Sequence, residues 1–291
     1  MTPSLAFPKD DFPRAILRSL LQKAIRRGYI GLTERVAYLL AEHGDSAWLR
    51  ARAGVIVFEE CWPFAARLRQ NTATIKIFQE IAKLKKNKDA SGLGSLAYAY
   101  STGDRSAASY SQDDLAVRIV AAGLRRPDAF FNWVESKNLS MEQTEVINSA
   151  RSTFKRATWP WDKAFTIAAS YLALSPIAQP SASLCISEEN FPIWVAIDKH
   201  TKEGRLSLKR VASQLNISSR DLSWISFYLE GAKVNDLVDS IWWSDEKKWR
   251  FSQLKITEDQ AIATWKKASN IIQEDLLMYT HKIEHLVSAI K

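Results

Sequence analysis

Two cysteines, Cys61 and Cys185, are too few and too far apart for a disulfide framework or a four-cysteine zinc cage. A reducing cytoplasm is therefore the expected location. Only four histidines are present, so a metal centre built on imidazoles has little material, and none is expected. No Gly-x-x-x-x-Gly-Lys-Ser/Thr string occurs, which excludes a P-loop nucleotide site, and no Gly-x-Ser-x-Gly elbow supports a serine hydrolase. Long apolar runs are missing as well. The uncharged stretch 165–187 is broken by Pro176 and Pro180 and is rich in Ser and Ala, unlike a spanning helix. Residues 1–11 mix prolines with Lys9, Asp10 and Asp11, so no secretion signal is expected there. No internal repeat or sustained heptad is found.

What the chain does have is indole and positive charge. Eleven tryptophans accompany 40 Lys+Arg against 32 Asp+Glu, a formal net charge of +8. The cations cluster at Arg26 and Arg27, at Lys83, Lys85, Lys86 and Lys88, at Arg125 and Arg126, and across 151–156 and 199–210. Flat rings among excess cations suit a polyanion with stackable bases, which makes DNA the first expected partner. Solvated helix faces account for part of the same clustering. With 46% apolar residues in 291, the chain buries a core without staples or cofactors.

Periodicity is helical almost throughout. The run 14–27 puts Leu17, Leu20, Leu21, Ala24 and Ile25 on one face, opened by Pro13 and closed by Gly28. Further helices are expected at 33–43 with Gly44 as stop, from Asp45 to about 60, and at 74–84, 115–124, 128–136, 141–154 and 162–174. Residues 87–114, rich in Gly, Ser, Asp and Tyr, read as loop with one short helix. The segment 175–183 lacks charge and period and marks a boundary. The expected division is a helical part over 1–174, a linker at 175–186 and a second helical part over 187–291. In the second part, helices are expected at 192–202 with Gly204 as stop, 206–215, 219–230 and 257–290. The expected fold is an all-α, multi-helix globular bundle of two loosely separable parts.

Four local patterns bear on function. Val211, Ala212, Leu215, Ile217, Leu222 and Ile225 have the spacing of two short packed helices, with Asn216 at a left-handed turn and Ser218 as cap. This resembles a helix-turn-helix. The resemblance implies that Ser219, Arg220 and Ser223 meet bases or phosphates while Lys209 and Arg210 meet backbone. The alternative is a plain helical hairpin, because Trp224, Phe227 and Tyr228 make the second helix very apolar.

Second, the stretches 21–28 (with Arg26 and Arg27), 37–41, Gly44-Asp45, 48–52 and Glu59-Glu60 resemble the helical C-terminal collar of clamp-loader-like AAA+ ATPases, over about the first sixty residues. With the ATPase module absent, the resemblance implies a helical scaffold used near DNA, with proteins of replication or repair as further partners. Third, Gly92-Leu93-Gly94 followed by Asp113 and Asp114 resembles the helix-hairpin-helix DNA glycosylases, in which a Gly-h-Gly turn holds phosphate through backbone amides and a carboxylate follows. Ser91 stands where that family has proline, and the lysine of its bifunctional members is missing.

Fourth, Asp198 lies in an apolar segment with Trp194 one turn behind it. A carboxylate there is expected to be partly buried with a raised pKa; an ordinary pair with Lys202 is the plain alternative. His281, Glu284 and His285 match His-x-x-Glu-His of inverted zinc peptidases, but that family needs a further downstream carboxylate ligand, so no metal site is expected.

Cleaving an N-glycosidic bond needs one carboxylate and aromatic walls around a flipped base, without metal or bound nucleotide. The leading expectation is therefore a metal-independent DNA glycosylase-like enzyme. Asp198 or Asp113 would be its catalytic carboxylate and Trp194, Trp159 and Trp161 would line the base pocket. A non-catalytic DNA-binding or clamp-loader-like adaptor is the second expectation, and a protein-binding helical scaffold the third.

Overall fold

Small residues build the centre of this molecule. In the computed structural model, which describes residues 12–68, 72–183 and 191–290, the segment expected to be loop with one short helix contains a 13-residue helix, Asp89–Ser101. Its sequence, Asp-Ala-Ser-Gly-Leu-Gly-Ser-Leu-Ala, has no apolar stripe because it is buried on nearly every side, and a helix covered all round needs no polar face. A Cβ on Gly92 would stand 2.5 Å from the backbone of Trp242 and Trp243, and one on Gly94 would stand 2.9 Å from the carbonyl carbon of Ala164. Neither glycine sits in a turn. Their missing side chains let two other helices approach this one at backbone distance.

In chain order the helices are α1 (Arg14–Arg26), α2 (Ile30–Leu40), α3 (Ser46–Glu60), α4 (Thr74–Lys83), the central α5 (Asp89–Ser101), α6 (Ser106–Ser109) and α7 (Asp114–Arg125). They continue with α8 (Pro127–Glu135), α9 (Met141–Arg156), α10 (Pro160–Leu172), α11 (Lys202–Gln214), α12 (Ser219–Ser226), α13 (Ile241–Gln253) and α14 (Glu258–Ser288). No strand occurs among the described residues; two isolated bridges, Cys61 with Asn87 and Leu84 with Ala182, are the nearest approach to one. None of the described helices is long and apolar enough to cross a membrane. The segment 1–11, Cys185 and linker residues 184–186 lie outside the described residues.

Two of the expected glycine stops hold. Gly28 and Gly44 take φ of 75° and 87° after α1 and α2. Ser140 and Thr257 open α9 and α14 with full capping boxes, each hydroxyl accepting from the N3 amide while Gln143 or Gln260 reaches back. Asp45 holds the expected position before α3, but its carboxylate accepts from Arg18 and pairs with Arg14 instead of the helix amides. Gly204 is a correction: it lies in the first turn of α11, where its amide donates to the Thr201 cap, and the expected helix at 192–202 is one 3-10 turn, Ile193–Ala196.

The uncharged segment 175–183 does run without helix, yet the chain on either side of it shares one core. Leu17, Leu20 and Val36 belong to the same buried cluster as Ile197, Leu208, Ile225 and Ile272. α13 lies on α5, and the 3-10 turn at Ile193 packs between α1 and α14. Each fully buried Leu on α1 contributes roughly 1.5–3 kcal/mol of transfer free energy, and α1 packs on α2 and α4 as well as on the 3-10 turn that follows the expected linker.

Candidate functional site

The Asp198 loop is built by local hydrogen bonds. The Asp198 carboxylate accepts from the His200 amide at 2.9 Å, its carbonyl accepts from the Thr201 amide and hydroxyl, and Thr201 then caps α11. This turns the carboxylate toward α1, where Lys23, only 4% exposed, donates to it at 2.6 Å and to Ser19 at 2.7 Å. His200 closes the outer side at 3.1 Å. Burial pushes the carboxyl upward, but Lys23 and His200 outweigh it and hold Asp198 well below the usual carboxylate range. The expectation of a raised pKa is corrected. A sequence window around Asp198 cannot contain the lysine that decides its charge.

Trp194 and Asp198 do line one cavity, together with Lys199, Ser223, Glu230 and Trp265. The cavity volume is about 20 Å³, room for a single water and not for a nucleobase. Trp194 stacks on Trp265 with ring centres 6.2 Å apart. Trp159 and Trp161 line no part of this cavity. Trp159 is 65% exposed at the start of α10, and Trp161 packs against Tyr98 at 4.4 Å. The three indoles expected to form one pocket are thus not brought together.

Asp113 is the N-cap of α7, its Oδ1 accepting from the Ala116 amide at 2.9 Å. Gly92 and Gly94 cannot cradle a phosphate, because the Gly92 amide donates to the Lys88 carbonyl inside α5 and both residues are buried. Arg26 and Arg27 are equally inaccessible. Arg26 donates to Glu60 and Glu59 at 2.7 Å each and to the Gly231 carbonyl at 2.5 Å, while Arg27 binds Glu230 at 2.7 Å. Their assignment to a DNA surface is withdrawn, since the charges are neutralised inside the protein.

These arginines belong to a buried ionic network that sequence reading missed. Glu60, 1% exposed, also accepts from Lys88 at 2.6 Å, and Glu59 and Asp162 share Arg52. Burial would raise the Glu60 carboxyl, but Arg26 and Lys88 pull it down to about 2. Beside this lies a second cluster. Burial raises Glu246 to about 7, and its carboxyl accepts from the Tyr228 hydroxyl. Lys199 and Arg250 both lie over the Trp224 ring, at 3.7 and 3.8 Å. Burial lowers the Lys199 ammonium to about 8. The one sequence signal for these groups was charge at positions where a helix should be apolar, such as Lys23 among Leu20, Leu21 and Ala24.

The two short packed helices expected over 208–225 are present as α11 and α12. α11 and α12 pack on each other and on α14. Asn216 takes φ of 53°, and the Ser218 hydroxyl accepts from the Asp221 amide at 3.0 Å. Val211, Ala212, Leu222 and Ile225 form the buried seam. The apolar rings of α12 turn inward, onto Lys199 and Arg250, so only Ser219 and Arg220 at its start stand fully exposed. Of the other predicted contacts, Lys209 is exposed and without an ion pair among the described residues, whereas Arg210 pairs with Asp275. The exposed face of α11 extends the set: Lys202, Arg205 and Lys209 recur at i, i+3 and i+7, and Glu203 is the sole carboxylate on that helix. No group of three or more His, Cys, Asp or Glu among the described residues is arranged to hold a metal ion.

No protein-family model, no curated protein and no solved structure matches the chain.

Proposed function

We propose that the chain is a non-catalytic DNA-binding helical scaffold that lays the cationic face of α11 and the start of α12 on the phosphate backbone. The supporting observation is the row of Lys202, Arg205 and Lys209, exposed on one helix face and unmatched by any carboxylate partner among the described residues. Phosphate contacts of this kind position a protein without reading sequence. Because α12 turns its large side chains inward, it has little left for the edges of bases, and binding is expected to tolerate most sequences. Base excision has less support: Asp198 is held in an ion pair, its cavity admits one water, and Asp113 is occupied as a cap.

The test is fluorescence anisotropy of a labelled duplex across a salt series. Each phosphate contact contributes about 0.9 to the slope of log affinity against log salt. Lys202→Ala, Arg205→Ala and Lys209→Ala together are expected to weaken binding and to lower that slope by about 3, while the melting temperature holds. Equal binding and equal slope in the triple variant would remove the proposal.

A further inference from the structure

A second cavity, far larger than the one beside Asp198, opens where the end of α2, the start of α3 and the start of α4 meet. Its volume is about 390 Å³, inside the range of roughly 300–1,000 Å³ typical of small-ligand pockets. Its lining divides by chemistry. Leu49 and Ile75 supply apolar floor, Tyr38 supplies a ring that is 48% exposed, and Arg50 and Lys76 supply two cations. No carboxylate is among its lining residues. Neither Arg50 nor Lys76 has an ion pair or hydrogen bond among the described residues, in contrast to the buried arginines of α1. Two unmatched cations beside an open aromatic ring call for a ligand with a flat face at one end and a doubly negative group at the other. Thr74 lines the same space, and the first turn of α4, which begins there, has neither a side-chain cap nor a carboxylate.

We infer that this cavity binds a nucleoside 5′-phosphate, the base against Tyr38 and the phosphate between Arg50 and Lys76. The same chemistry is offered by a free nucleotide and by the phosphorylated end of a strand. The site shares no residue with α11, so its occupation does not depend on the DNA-binding face described above.

Isothermal titration of the full chain decides the matter, using adenosine monophosphate, adenosine, inorganic phosphate, and one oligonucleotide with and without a 5′-phosphate. The monophosphate is expected to bind, with adenosine and inorganic phosphate each weaker by about tenfold or more, since each forfeits a charge-assisted or stacking contact. Binding confined to the 5′-phosphorylated oligonucleotide assigns the cavity to strand ends and also supports the inference. Arg50→Ala with Lys76→Ala is expected to abolish measurable binding, and Tyr38→Ala to weaken it about tenfold while Tyr38→Phe retains it. All three positions of change are at the surface, so an unchanged melting temperature separates lost binding from lost folding. The Lys202, Arg205 and Lys209 triple variant is expected to bind the monophosphate normally. The inference is overturned by absence of binding in every arm, by inorganic phosphate binding as tightly as the monophosphate, or by loss of binding in the α11 variant.

Discussion

Asp198→Asn separates a structural carboxylate from a catalytic one. The change removes one charge and almost no volume from a pair whose members, Lys23 and Asp198, have side chains 6% and 12% exposed at 2.6 Å. Removing one partner of a buried ion pair costs about 3–5 kcal/mol, because the other charge is left without compensation. The asparagine oxygen can still accept one bond from Lys23, so the lower end, about 3 kcal/mol, applies. At about 2–4 °C per kcal/mol, the melting temperature should fall by roughly 6–12 °C. Lys23→Met combined with Asp198→Leu should recover most of this, since apolar residues of similar volume replace a buried pair at little net cost.

Far-UV circular dichroism melts at several pH values supply the assay. The folded-state pKa of Asp198 is depressed, so its stabilising contribution is fully present above its ordinary value of 3.8 and is lost as pH falls below it. The wild-type protein should therefore lose stability in acid more steeply than Asp198→Asn. An unchanged melting temperature in the variant, with the same acid limb, would refute the assignment of Asp198 as a structural partner of Lys23.

Three other outcomes follow from the same geometry. Gly92→Ala sets a methyl group against the Trp242 and Trp243 backbone and should destabilise by about 1–3 kcal/mol in denaturant titrations, despite alanine's better helix propensity; a stabilised variant would contradict the close approach of α5 and α13. Glu246, raised from 4.5 to about 7, favours the folded state most at low pH and loses that contribution as pH climbs through 7, so Glu246→Gln should flatten the decline in melting temperature between those values. Parallel pH profiles for the two proteins would count against a buried neutral carboxyl. Trp159→Ser, at a 65% exposed ring, should leave the melting temperature within the ordinary scatter of surface changes, about 0.5 kcal/mol, and a large loss would mean that the ring is covered.

How much was legible follows distance along the chain. The stop at Gly28, the left-handed turn at Asn216, the Ser218 cap and the seam between α11 and α12 depend on neighbours within one or two turns, and these were read correctly. α5 was missed because its small residues give no amphipathic period when every side is covered. α13 was missed for the opposite reason. Its inward side carries Asp245, Glu246 and Arg250 beside Trp249 and Phe251, so charge sits where a pattern search looks for apolar residues.

The sequence by itself determined an all-helical chain and several of its local stops and caps, whereas the cationic row on α11 emerged only once Gly204 proved to lie inside that helix. Helical period, stops and caps are properties of residues a few positions apart, where spacing maps directly onto a helix face. The tertiary structure alone decided which charges are free. Lys23 and Asp198 meet across 175 positions, Arg26 reaches Gly231 across 205, and Arg27 reaches Glu230 across 203. Charge in a protein acts through space, and the low-dielectric interior amplifies whichever partner the fold delivers.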